Sequence, residues 1–125
     1  MTCLLDTHIL IWWLYDDPKL PKRHRNLIMD PTNAIVVSVA SFWEIEIKSA
    51  LGHLVIDPAY PEAVKEEGFD ILSIKSSHAL ALRDLSNYHK DPFDRMLIAQ
   101  AVSEDLILLS VDRHIARYGG LVKLL

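Results

Sequence analysis

The stretch His89–Asp112, HKDPFDRMLIAQAVSEDLILLSVD, decides how this chain is read. Pro92–Glu104 has the marks of a helix. Asp91 is a natural N-cap, and Pro92 suits a first turn, where its missing N–H goes unused. Leu106–Leu109 then runs apolar without alternation, as a strand buried on both faces does. A helix feeding directly into a buried strand is half of a βαβ unit. The two run in opposite directions, so the start of the helix and the carboxyl end of the strand share one edge. Asp94, in the first helical turn, and Asp112, just past the strand, both lie on that edge.

The segments on either side repeat this pattern. Thr2–Leu5 and Ala34–Val39 are short apolar strands, Asp70–Ile74 is a third, and Leu121–Leu124 closes the chain. Helices are expected at Ile9–Tyr15, Lys22–Met29 and Ser41–Leu51, the last stopped by Gly52. Others are expected from Pro58 and Pro61 to near Gly68, over Ser77–Leu85, and in a short piece ending at Tyr118. Asn87–Asp91 reads as a polar loop. Strands alternating with helices, and continuously apolar strands, predict an α/β fold. The expectation is a single domain over residues 1–125, with a central, mostly parallel sheet of about four or five strands and helices on both faces. Ile9–Tyr15 is hydrophobic all round and must be covered on every side. Its outer side, with Trp12 or Trp13, is expected to meet a partner.

Composition narrows the class. The chain carries 13 basic and 17 acidic residues, a net charge of -4, which lacks the basic footprint of a nucleic-acid coat protein. The one basic cluster, Lys19 to Arg25, reads as a solvated helix face. The lone Cys3 cannot form an internal disulfide, and no Cys/His metal spacing exists, which fits a reducing compartment. No signal peptide or membrane span is legible, so the expected location is cytoplasmic, without a membrane.

Two further acids join Asp94 and Asp112. Asp6 ends the first strand, and Glu44 lies early in the helix leaving the second. In open α/β sheets, sites form beyond the carboxyl ends of the strands. Asp6, Glu44, Asp94 and Asp112 should therefore project toward one rim. Setting them aside leaves 13 acids against 13 bases, so they account for the whole acidic excess.

Each acid also has a plain structural use. Asp6 and Asp112 can form turns or cap helices, with Thr7 and Ser110 hydrogen-bonding locally. Asp94 can act in a capping box three residues after Asp91. Ser41-x-x-Glu44 matches a capping box, and Glu44 can pair with Lys48 one turn on. Glu44 is also expected to share its face with Ala40, Ile47 and Leu51, where a carboxylate needs a partner. Taken together, these readings require four coincidences on one rim. Convergent carboxylates repel one another, and a divalent cation relieves that. An all-oxygen set suits Mg²⁺ or Mn²⁺ and the hydrolysis of a phosphodiester, with one ion or two. The six histidines show no ligand spacing, and His8 and His89, near the rim in sequence, are assigned surface or packing roles.

With these residues placed, the chain resembles the PIN-domain ribonucleases, and among them the VapC toxins of type II toxin–antitoxin pairs. The segments that carry the resemblance are LLDTHILIWWL (Leu4–Leu14), SVASFWEIEIK (Ser38–Lys48), HKDPFDRMLIAQA (His89–Ala101) and LLSVDRHIARY (Leu108–Tyr118). It implies a metal-dependent endoribonuclease acting as the toxin of such a pair. Asp6, Glu44, Asp94 and Asp112 take the family's four acidic positions. Asp6, Asp94 and Asp112 then bind the metal directly, and Glu44 acts through water or on the attacking water. Thr7 and Ser110 become supporting hydroxyls, with Ser110 standing where many relatives carry threonine. The resemblance further implies an RNA substrate, a cognate antitoxin and a homodimer, with the Ile9–Tyr15 helix as candidate interface. Lys48, Arg95 and Arg113 neighbour the acids and are candidates for RNA contact.

Two other classes compete. One is a non-catalytic RNA-binding or protein-interaction module on the same fold, which has no need of four acids. The other is a receiver-like phosphoacceptor domain, whose usual rim lysine is missing: the only late lysine, Lys123, falls within the last strand.

Overall fold

A computed structural model describes residues 1–125. Five strands form one sheet in the order β3-β2-β1-β4-β5: β1 (Thr2–Leu5), β2 (Ala34–Ser38), β3 (Asp70–Leu72), β4 (Ile107–Leu109) and β5 (Lys123–Leu124). Every pairing is parallel. The helices are α1 (Thr7–Leu14), α2 (Lys22–Met29), α3 (Val39–Ala50), α4 (Tyr60–Glu66), α5 (Ser76–Ala81), α6 (Pro92–Ser103) and α7 (Arg113–Ala116). A single 3₁₀ turn at Leu82–Asp84 takes the end of the helix expected over Ser77–Leu85.

Successive strand residues point to opposite faces, so each strand feeds two cores. Leu4, Val36 and Leu108 join Leu97, Ile98 and Ala101 of α6 on one face. Cys3, Leu5, Ile35, Val37 and Leu109 meet Ile9, Leu10, Ile45 and Val64 on the other. This double burial is why the strands read as unbroken apolar runs. The chain lays β2 and β3 on one side of β1 and then crosses back to lay β4 and β5 on the other. The connections therefore reverse direction between β1 and β4, the switch point at which open α/β sheets place their sites. The two strands are in register there, Leu5 opposite Leu109, and the Asp6 N–H extends the ladder to the Leu109 carbonyl at 3.0 Å.

Two expectations about α3 need correction. The helix starts at Val39, with the Ser38 hydroxyl accepting the Ala40 N–H at 2.9 Å, so Ser41 and Glu44 form no capping box. The buried stripe is Ala40, Ser41, Glu44 and Ile45, while Ile47 and Leu51 are exposed. Ile47 and Leu51 still lie on the side of Ala40 and Glu44 by 3.6-residue spacing, but only the first half of the helix is covered and its carboxyl half stands exposed.

The outer side of α1 is also less bare than its composition suggests. Ile11, Trp12, Trp13 and Leu14 are half-buried against the second core, and Trp13 meets Phe69 with ring centroids 6.3 Å apart. Within the basic cluster, Arg25 pairs with Asp16 and His24 is buried. No helix is long and apolar enough to cross a membrane.

Candidate functional site

Three aspartates mark the carboxyl rim as helix caps. Asp6 caps α1, accepting the His8 N–H at 3.0 Å. Asp112 caps α7, accepting the N–H groups of His114 (2.7 Å) and Ile115 (3.2 Å). Asp91 caps α6, accepting those of Phe93 and Asp94. The capping readings of Asp6 and Asp112 therefore hold, but capping engages a single oxygen, Oδ1, of each. Asp6 Oδ2 is left to take the Ser110 hydroxyl at 2.6 Å. Asp94 does no capping, because Asp91 already does it. Its Oδ2 instead shares a 2.7 Å hydrogen bond with His89 Nε2.

Around these caps Asp6, Glu44 and Asp94 lie close enough for their charges to act on one another. Asp6 and Glu44 are buried, and Asp94 is largely so. Burial pushes the Asp6 pKa up against the hydrogen bonds from Ser110 and His8, and the charge of Glu44 adds to the rise. Asp94 is raised to about 7, by burial first and then by the charge of Asp6, with Asp91 and Glu44 contributing and the His89 bond opposing. Ligating atoms of Asp94, Asp112 and His89 lie within 4.8 Å of one another. Ser110 joins the two halves: its hydroxyl donates to Asp6 and accepts the Asp112 N–H at 3.0 Å.

Glu44 offers the clearest sign of what the site lacks. Its Oε2 receives the Lys48 ammonium, while its Oε1 is buried with no hydrogen-bond partner. A buried carboxylate oxygen without a donor is costly, and the charge of Glu44 adds to the rise of the Asp6 and Asp94 pKa values. The only cation in contact is Lys48. Burial disfavours its charge, but the bond to Glu44 and the fields of Glu44, Asp91 and Asp94 outweigh that and raise its pKa. The donor set therefore fits a divalent cation, which would satisfy Oε1 and balance the surplus charge.

The other residues singled out in the sequence fall in different places. Thr7 is buried, but its hydroxyl donates to Ser41 at 2.9 Å rather than to an acid. Arg95 points away from the rim. Its guanidinium reaches the carbonyls of Ser86 (3.0 Å), His89 (3.4 Å) and Leu82 (3.5 Å) and the Tyr118 hydroxyl (3.2 Å), a structural commitment that leaves it none of the freedom expected of an RNA contact. Arg113 is exposed at the start of α7. Lys48 and Glu44 also line a groove of about 370 Å³ with Thr7, His8 and Trp12.

The residue that sequence reasoning missed is His89, assigned to packing and found among the carboxylates. It stands five positions before Asp94 in a loop, so no helical or strand period announces it. The only available signal was its nearness to the DPFD turn.

A parallel sheet with an acidic centre at its switch point sets the chain among small α/β domains that gather carboxylates at the carboxyl ends of their strands. The sequence matches the PIN domain family over residues 3–121, and the chain belongs to that family. Its structure is similar to DNA-bound VapBC from Salmonella typhimurium, with a TM-score of 0.70 and 17% identity over 100% of this chain and 97% of the other. It is also similar to VapBC2 from Rickettsia felis bound to a promoter DNA fragment, with a TM-score of 0.67 and 14% identity over 100% and 98% of the two chains. FitAcB from Neisseria gonorrhoeae matches with a TM-score of 0.61 and 17% identity over 98% and 95%. No protein of curated function matches the sequence.

Proposed function

We propose that this PIN-domain chain is a metal-dependent endoribonuclease, the toxin of a toxin–antitoxin pair. The observation that carries the reading is the buried, unpartnered Glu44 Oε1 beside Asp6 and an Asp94 raised to about 7. Such a centre is built for a cation, and the family membership gives the cation a use. Asp6, Asp94 and Asp112 would hold Mg²⁺ or Mn²⁺, with Glu44 nearby. The ion supplies Lewis-acid stabilisation of the charge that develops on a phosphodiester as it is hydrolysed.

The protein's own residues supply the rest. Glu44 Oε1, its only free carboxylate oxygen, accepts a hydrogen bond from the attacking water and takes its proton. Lys48 fixes Oε2 and leaves Oε1 free to accept. Ser110 holds Asp6 and the Asp112 backbone in register, so that acids 106 residues apart in the chain stay together. Lys48, bonded to Glu44, and the exposed Arg113, next to Asp112 in the chain, would neutralise RNA phosphates. The similarity to chains from VapBC complexes supports a cognate antitoxin as partner, and the half-buried apolar side of α1 supports a homodimer.

The test is direct. Purified protein is incubated with RNA and Mg²⁺ or Mn²⁺, beside Asp6→Asn and Asp94→Asn. Cleavage should require the metal and vanish in both variants. Cleavage that survives either substitution, or EDTA, refutes the proposal.

A further inference from the structure

His89 is held against the carboxylates by more structure than a surface loop requires. Tyr118 is buried, and its hydroxyl accepts the N–H groups of Tyr88 (3.1 Å) and His89 (3.2 Å) while donating to the Ser86 carbonyl. Arg95 ties the same loop through the Ser86 and His89 carbonyls and bonds the Tyr118 hydroxyl. The His89 ring lies flat on that of His114, with centroids 4.9 Å apart and planes 17° from parallel. Backbone, ring plane and ring edge are all fixed, and the edge presents Nε2 to Asp94 Oδ2 at 2.7 Å.

The trio His89, Asp94 and Asp112 is close to the dimensions of a ligand set. Donors bound to one ion at about 2.1 Å stand roughly 3 Å apart when adjacent and roughly 4 Å when opposite. The ligating atoms of these three residues all fall within 4.8 Å of one another. Independently, Glu44 Oε1, on a neighbouring acid whose charge acts on Asp94, is buried without a hydrogen-bond donor.

We infer that His89 is a nitrogen ligand of this centre, and that the site therefore takes a first-row transition ion in preference to Mg²⁺. The inference rests on the metal-dependent reading above and deepens it by naming the class of cation. Mg²⁺ is a hard ion that favours oxygen donors and octahedral water, whereas imidazole raises affinity for softer divalent ions. Tyr118 and Arg95 act as positioning residues, holding the imidazole where it can reach the ion.

The experiment measures binding of Co²⁺, Mn²⁺ and Mg²⁺ alone, by calorimetry, in the wild type, His89→Ala, His89→Gln, Tyr118→Phe and Asp94→Asn, each checked for fold by circular dichroism. Electron spin-echo spectra of the Mn²⁺-loaded protein are recorded alongside. The wild type should bind Co²⁺ at least about 10-fold tighter than Mg²⁺ and show modulation from ¹⁴N coupled to Mn²⁺. His89→Ala should lose that modulation and weaken Co²⁺ by about 10-fold or more, with Mg²⁺ weakened far less. His89→Gln keeps a hydrogen-bond donor for Asp94 and should behave like alanine. Tyr118→Phe should weaken Co²⁺ in the same sense by a smaller factor.

Mn²⁺ bound without nitrogen coupling, equal losses for Co²⁺ and Mg²⁺, or full rescue by glutamine overturns the inference. If in those cases binding still collapses in Asp94→Asn, the metal-dependent reading stands. If no cation binds the wild type, both fail.

Discussion

Replacing Asp94 with asparagine should stabilise the metal-free protein at neutral pH and flatten its pH dependence. The pKa of Asp94 rises from 3.8 to about 7 on folding, through burial and the charge of Asp6. Between those values the folded state binds more protons than the unfolded one, so stability falls as pH rises through the window from about 4 to about 7. A rise of about three pH units corresponds to at most about 4 kcal/mol. Asp94 keeps some solvent contact, with 13% of its side chain exposed, and screening brings the expected contribution to about 2 kcal/mol. In a domain of this size that is roughly 8 °C in melting temperature. The assay is thermal unfolding in EDTA at pH 5 and pH 8. The wild type should lose about that much between the two, and Asp94→Asn should lose clearly less, with a residue left by Asp6, whose pKa is also raised by burial. Adding Mn²⁺ at pH 8 should restore the wild type, by about 2.7 kcal/mol at 100 times Kd, and leave the variant unmoved. Parallel pH profiles for the two proteins in EDTA would refute the electrostatic account of the centre.

Ser110→Ala removes both the 2.6 Å bond to Asp6 and the acceptor for the Asp112 N–H, and should cost about 1–3 kcal/mol in urea unfolding, while Ser110→Thr should stay within about 1 kcal/mol. Gln100, fully buried, receives the Ser38 hydroxyl and lies 3.3 Å from His78 Nδ1; Gln100→Leu should destabilise by about 2–4 kcal/mol without changing metal affinity, which calorimetry checks. Glu104 has its pKa lowered by hydrogen bonds from His78 and Lys75, so its contribution is present above the ordinary pKa of 4.5 and is lost as pH falls below it. Glu104→Gln should therefore lower stability at neutral pH and flatten the acid limb of an unfolding profile below pH 4.5, where the wild type has already lost the contribution.

The line between what was legible and what was not follows the range of the interactions involved. Lys22–Met29 and Thr2–Leu5 coincide with α2 and β1 because local period and apolar content define them. The start of α3 was misplaced because two serines compete as caps, and the choice of Ser38 depends on where β2 ends against its neighbours. Asp91 was rightly read as a cap, since its bonds span two and three residues. Thr7 was expected to support an acid, yet its hydroxyl turns to Ser41, 34 residues away. Arg95 sits beside Asp94 in sequence, but a helix sends adjacent side chains about 100° apart, and its guanidinium serves the far side of the loop.

The residue pattern already held the alternation of strands and helices, the burial of strands on two faces, and the edge to which Asp6, Glu44, Asp94 and Asp112 belong. These follow from periodicity and chain direction. How the carboxylates are used came from the folded chain: which oxygens cap and which remain free, that Glu44 Oε1 is buried without a donor, and that His89 lies against Asp94. Those outcomes depend on the β1–β4 switch point and on the loop pinned by Tyr118 and Arg95, contacts between residues far apart in the chain that no local pattern encodes.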